Sequence, residues 1–130
     1  MAVKLMVFGA RALQGTLIHS RLDDIRAAGI TLAVVGTERD NREVENTGMV
    51  LHTAHVGTAR DEDAVSDTVA IVRRFAAQLG LRDSEVMVVS NSVVDHMATR
   101  IGHGLFATPL ALDMLLARSD SVEAALELLA

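Results

Sequence analysis

Three short aliphatic runs, Val3–Phe8, Ile30–Val35 and Val86–Val89, stop abruptly at Gly9, Gly36 and Ser90, and the stretches between them repeat at helical spacing. Apolar runs this short that do not alternate with polar residues belong to strands covered on both faces, the mark of a parallel sheet. Parallel strands need long crossovers, and the intervening segments supply them as helices. Leu22, Ile25 and Arg26 follow Ser20, which predicts an N-cap there, and precede Gly29, where a left-handed C-terminal residue belongs. Val65, Val69, Val72, Ala76 and Leu79 recur at alternating four- and three-residue steps, predicting an amphipathic helix that stops at Gly80.

The remaining segments fit the same alternation. Glu38 to Asn46 is polar and reads as a short helix or ordered loop, and Met49 to Val56 as a weaker third strand interrupted by His52 and His55. Val93 to Ile101 forms a helix ended by Gly102, Leu105 to Ala107 a brief strand, and Pro109 suits the first turn of the next helix. Asp120 with Glu123 has the spacing of a capping box that opens a last helix through Leu129. The expectation is an α/β fold, a three-layer Rossmann-like parallel sheet of about five strands with helices on both faces, residues 1–130 forming one domain.

Composition closes off several functions. Twelve basic residues against seventeen acidic ones leave a net charge of -5, which argues against a phosphate-backbone footprint and so against nucleic acid as a partner. The chain has no cysteine, which removes a disulfide framework, a thiolate metal site and a sulfur nucleophile. Its apolar runs fall far short of a membrane span and its N-terminus lacks a signal-peptide layout, so a soluble cytoplasmic protein without a membrane partner is expected. Only Lys4 among the basic residues is lysine, a bias that reads as codon usage of a GC-rich, bacterial type of genome. His19, His52, His55, His96 and His103 follow no zinc-site spacing, and no metal is assigned to them.

In a parallel sheet of this kind ligands bind beyond the carboxyl ends of the strands, where the strand order reverses. Four loops therefore carry the chemistry: Gly9 to Ser20, Gly36 to Asp40, Gly57 to Asp67, and Ser90 to Asp95. Gly15, Thr16, Leu17, Ile18, His19 and Ser20 follow a strand ending in Val7-Phe8; Leu32 to Thr37 is an apolar strand ending in threonine; Ser66 to Leu81 is a helix ending in Leu-Gly-Leu; and Ser90, Asn91, Ser92, Val93, Val94, Asp95 follow the Val86 strand. This succession resembles the four motifs of the haloacid dehalogenase (HAD) superfamily, and the resemblance covers residues 3 to 107 in order. It implies a HAD-like domain, and the short first loop leaves no place for a cap.

The resemblance also implies an aspartate nucleophile, a second aspartate as acid, a charge-balancing lysine and a magnesium site. Aligned on Gly15-Thr16, the nucleophile falls at Ala12 and the acid at Gln14; aligned on Phe8, they fall at Gly9 and Arg11. The lysine position is Ser66, replaced at a distance by Arg60, and the metal carboxylate position is Asn91; Asp95 alone keeps the family's residue. Neither alanine nor glycine can attack phosphorus, and Asn91 with Asp95 makes a poor magnesium site, so ordinary phosphatase activity and a cofactor are not expected.

What is expected instead is a pseudo-phosphatase or repurposed protein that binds a small polar or anionic ligand. Gln14, Thr16, Thr37, Ser90, Asn91 and Ser92 are its candidate binding residues, with Asp95, His19 and Arg11 as acid-base candidates. Asp95 would also suit the first turn of its helix on electrostatic grounds, and His19 a helix-flanking surface position. An open, capless mouth suggests a homo-oligomer. A phosphohydrolase with an atypical site and a non-catalytic interaction protein are the alternatives.

Overall fold

In a computed structural model of the protein, residues 3–13, 17–45, 52–55, 62–102 and 104–129 are described. The first strand, β1 (Leu5–Gly9), pairs in parallel with β2 (Thr31–Gly36) on one side and with β4 (Val86–Val89) on the other. β3 (His52–His55) extends the sheet beyond β2, and β5 (Leu105–Ala107) extends it beyond β4, giving the order β3-β2-β1-β4-β5. The chain thus starts in the middle, winds outward through β2 to β3, and returns to build the other half from β4.

Side chains alternate across the sheet as the pleat requires. Met6, Phe8, Leu32, Val34, Met87 and Val89 face one way and pack with Ile18, Leu22, Ile25, Leu112 and Leu126. Leu5, Val7, Ala33, Val35, Val86 and Val88 face the other way and pack with Ile71, Phe75 and Ala76. Helices α1 (Leu22–Ala27), α5 (Pro109–Arg118) and α6 (Val122–Glu127), with Ile18 from the turn before α1, supply the first group, and α3 (Glu62–Gln78) supplies the second. Helix α2 (Glu38–Glu45) follows β2, and α4 (Val93–Gly102) lies against α3 and β5. Among the described residues no helix is long and apolar enough to cross a membrane.

Local signals set several boundaries as expected. Gly29 (φ +86°) and Gly80 (φ +67°) take the left-handed conformation that ends their helices. Pro109 occupies the first turn of α5, and Thr108 caps it by accepting a hydrogen bond from the Ala111 N–H at 3.2 Å.

Three expectations are corrected. Ser20 does not cap α1: a 3-10 turn, Leu17–Arg21, runs straight into it, and Arg21 instead ties to Asp113 of α5 at 3.1 Å. The last helix is capped by Ser121, whose Oγ accepts from the Ala124 N–H at 3.1 Å, and not by Asp120. The buried face of α3 runs through Thr68, Ile71, Phe75 and Ala76, with Val65, Val69 and Val72 half-buried and Leu79 41 % exposed. The helix is thus rotated from the expected stripe, with α4 packed along it as its helical neighbour.

Candidate functional site

β1 and β4 are neighbours in space but head successive windings that run in opposite directions, so their carboxyl ends flank the point where the strand order reverses. A cleft of 460 Å³ opens there. Three of the four loops named from the sequence converge on it: Gly9 to Ala12 after β1, Gly36, Thr37 and Asp40 after β2, and Ser90 to Asp95 after β4. Among the described residues of the fourth segment, Asp67, already within α3, contributes, with Thr68 beside it.

The floor is built from the β4 side. Ser90, 3 % exposed, donates its hydroxyl proton to Asp95 Oδ2 at 2.6 Å, and its Oγ accepts from the Ser92 N–H at 2.9 Å. The first bond turns Asp95 from the first turn of α4 back over the strand end; the second uses one of the amides that an open helix start would offer an anion. Thr99 anchors the same turn by donating to the Asp95 carbonyl at 2.7 Å. Burial pushes the Asp95 carboxyl above its ordinary 3.8, and the Ser90 hydrogen bond works against that rise.

Gly9 is what lets these groups close in. A Cβ at Gly9 would stand 2.8 Å from Ser90 Oγ and 3.0 Å from Asp95 Oδ2, closer than side chains tolerate. The strand end therefore abuts Ser90 and Asp95 directly.

The β2 side is similarly self-contained. Thr37 Oγ1 accepts from the Asp40 N–H at 3.2 Å, capping α2, while fully buried Asn41 donates to the Gly36 carbonyl at 3.3 Å. A Cβ on Gly36 would meet Ala10 Cβ at 2.5 Å, so the two loops touch through this glycine. At the rim the Arg11 guanidinium, 87 % exposed, faces Asp40 at 3.4 Å.

Of the residues expected at a site, Arg11, Thr37, Ser90, Asn91, Ser92 and Asp95 all line this cleft. Gln14 and Thr16, with Gly15, lie outside the described residues, as do Arg60 and His103. His19 is exposed on the 3-10 turn and is not among the lining residues, because Ile18, the residue before it, is the one that turns into the core. His96 is exposed on α4 and stacks on Phe106 with ring centroids 4.5 Å apart. Ser66 is exposed on α3, where its neighbours Asp67 and Thr68 reach the cleft.

Sequence reading named Asp40 and Asp67 only as the ends of two candidate loops, with no role, and missed Thr68. Thr68 carried a signal: it lies three residues before Ile71 and seven before Phe75, a polar side chain on the core face at the cleft end of α3. Asp40 and Asp67 look like ordinary acids in a helix's early turns, and only the tertiary fold aims them inward.

The residues do not fit a magnesium ion of the kind the resemblance implies. Asp95 is the single carboxylate of the β4 loop and is engaged by Ser90, Asn91 is a neutral amide, and the strand end offers glycine. Among the described residues no three His, Cys, Asp or Glu side chains converge as a metal group. No protein-family model matches the chain, and no curated protein matches it.

Proposed function

We propose that the chain is a capless HAD-like domain, a three-layer Rossmann-like fold, whose strand-end cleft is retained as a pocket for a small polar ligand while the phosphoryl chemistry is abandoned. The observation that carries this is the closure at Gly9. A phosphoryl nucleophile would have to project from the end of β1, and there the chain has no side chain and the space for one is filled by Ser90 Oγ and Asp95 Oδ2. A position that had lost its aspartate alone would leave a hole; here the opposite loop occupies it.

The lining favours one ligand chemistry over another. Among the described residues, Asp40, Asp67 and Asp95 line the cleft, with the guanidinium of Arg11 at the rim. Two hydroxyls that could greet an anion, those of Thr37 and Ser90, already serve the protein's own backbone and Asp95. A compound rich in hydroxyl or ammonium donors suits these acceptors, and a phosphate dianion meets repulsion. At 460 Å³ the cleft falls in the range of small-metabolite sites.

Asp95 is placed to exchange a proton with such a ligand. Its carboxyl is held over the strand end, and burial raises it above the ordinary carboxylate value. The Arg11 guanidinium would contribute charge and hydrogen-bond donors alone. His19, exposed and away from the lining, is given no part.

The test is a thermal-shift panel of polyols, amines, amino acids and phosphate esters on the intact chain and on Asp67→Asn and Asp95→Ala. A ligand at a hundredfold excess over its dissociation constant stabilises by about 2.7 kcal/mol, roughly 10 °C for a chain of this size. The expected result is such a shift from a hydroxyl- or ammonium-bearing compound, reduced in both variants. No shift from any compound, or a shift from phosphate esters alone, would refute the proposal.

A further inference from the structure

One half-buried carboxylate of this chain lacks the cation that the others have. Among the described residues the carboxylates that are not exposed belong to Asp40, Glu85, Asp95 and Asp113. Three of them have a basic partner: Asp40 pairs with Arg11 at 3.4 Å, Glu85 with Lys4 at 3.0 Å and Asp113 with Arg21 at 3.1 Å. Asp95 has none among the described residues, and the hydrogen bond to its Oδ2 comes from the neutral Ser90 hydroxyl. A carboxylate withdrawn from water without a cation loses hydration that a hydroxyl returns only in part, and burial accordingly raises Asp95 above its ordinary value. Because Asp95 lines the cleft, a positive group can reach it from there.

The two walls of the cleft differ in charge. Helix α2 sends Val44 into the core on the side of α1 and α5, and it packs on the 3-10 turn Ala10–Leu13 that carries Arg11. Helices α3 and α4 pack together over the opposite face of the sheet, against Val86 and Val88. One wall therefore bears Arg11 with its partner Asp40, and the other bears Asp67 and Asp95. Asp67 is exposed and, among the described residues, it too has no basic partner. Asp40 engages Arg11 through Nε, and the side chain is 87 % exposed, so the fork of its two terminal nitrogens, which matches a carboxylate, is open to solvent at the rim.

We infer that the cleft takes an amino acid, with its ammonium group against Asp95 and its carboxylate against Arg11. This rests on the reading of the cleft as a polar-ligand pocket and narrows it to one class. The ammonium gives Asp95 the cation it lacks: Oδ1 accepts from it while Oδ2 keeps the Ser90 hydroxyl, and Asp67 adds its charge from the same wall. The carboxylate takes the fork of Arg11. A plain amine would leave that guanidinium unanswered, and a plain carboxylic acid would meet the repulsion of Asp67 and Asp95, whereas a zwitterion complements both walls. At 460 Å³ the cleft has room for one amino acid with its side chain.

The test is isothermal titration calorimetry of the whole chain with the proteinogenic amino acids, and with ethanolamine and sorbitol as a plain amine and a plain polyol. Each amino acid that binds is compared with its amide, which lacks the carboxylate, and its N-acetyl form, which lacks the ammonium. The proteins are the native chain, Arg11→Ala, Asp95→Asn and Glu123→Gln, the last an exposed acid at the amino ends of the strands. Arg11 is exposed and Asp95→Asn keeps an acceptor for Ser90, so far-UV circular dichroism should be unchanged in each. For the native chain both analogues should bind roughly tenfold more weakly than the amino acid, the loss expected for one charge-assisted contact. Arg11→Ala should bring the amino acid down to the affinity of its amide and leave the amide unchanged. Asp95→Asn should weaken amino acid and amide alike and leave the N-acetyl form unchanged, and Glu123→Gln should match the native chain. Binding of ethanolamine or sorbitol with no gain from an amino acid over its amide overturns the inference and leaves the polar pocket standing; no binding by any compound overturns both. A loss in Arg11→Ala that the amide shares, or an equal loss in Glu123→Gln, overturns it as well, because net charge and not a site would then set the affinity.

Discussion

Replacing Gly9 with alanine places a methyl group 2.8 Å from Ser90 Oγ and 3.0 Å from Asp95 Oδ2, with Ser90 Cβ next at 3.3 Å. None of these atoms is free to withdraw: Ser90 is buried and doubly hydrogen-bonded, and Asp95 is tied to it. Overpacking of this kind costs about 1–3 kcal/mol. Gly9 does not have a left-handed backbone, so alanine incurs no conformational strain and recovers about 0.4–1 kcal/mol by restricting the unfolded chain. The balance is a net loss of roughly 0.5–2 kcal/mol, or about 2–8 °C in Tm at the entropy of unfolding typical for this length. The assay is calorimetry on the native protein, Gly9→Ala, Ser90→Ala and the double variant. Removing the Ser90 hydroxyl relieves the closest contact, so the double variant should be more stable than the two single effects predict by roughly 0.5–1.5 kcal/mol. A Gly9→Ala protein as stable as the native one, with no coupling to Ser90→Ala, would mean that the strand end is not closed and would remove the observation on which the proposed function stands.

Asp95→Asn keeps an oxygen that accepts the Ser90 hydroxyl and removes the charge that burial disfavours. A carboxyl with a raised folded-state value destabilises above that value and has no effect well below the ordinary 3.8, so the variant should melt higher than the native protein at pH 8, and the difference should close as pH falls below 3.8. Glu85 behaves in the opposite sense. Its carboxylate accepts from the Arg82 backbone N–H at 3.0 Å and pairs with Lys4 at 3.0 Å, which bring it down from 4.5 to about 2, so its stabilisation is complete above pH 4.5 and lost as pH falls toward 2. Urea titrations between pH 5 and 2 should show a shallower decline for Glu85→Gln than for the native chain, and an equal slope would contradict the assignment. Leu112, fully buried on α5, should cost about 2–5 kcal/mol when cut to alanine, read as a lower urea midpoint at constant m-value.

Strands and crossovers were legible in the sequence because a parallel sheet writes itself as unbroken apolar runs closed by small residues, and β1, β2 and β4 do so. Gly29, Gly80 and Pro109 marked their helix ends for reasons local to a few residues. Where a distant partner decides, the local signal failed. Arg21 is held by Asp113, 92 residues on, and the 3-10 turn before α1 replaces the Ser20 cap. The cleft followed the same division: the loops after β1, β2 and β4 were located by the topology of the sheet, with Asp40 and Asp67 named only as loop ends, and it is the packing of α2 and α3 that brings these two acids to the cleft. His19 failed for the complementary reason, since the alternation that buries Ile18 sends the next side chain to solvent.

The most direct measurement is a steady-state assay of the native chain with p-nitrophenyl phosphate and a panel of phosphometabolites in millimolar Mg²⁺, repeated on Gly9→Asp. With the strand end occupied by Ser90 and Asp95, neither protein should release phosphate above the uncatalysed rate, and the added aspartate should lower stability without creating activity. Magnesium-dependent turnover by the native chain, or its appearance in Gly9→Asp, would show that the cleft still performs phosphoryl transfer and would contradict a pocket that has given it up.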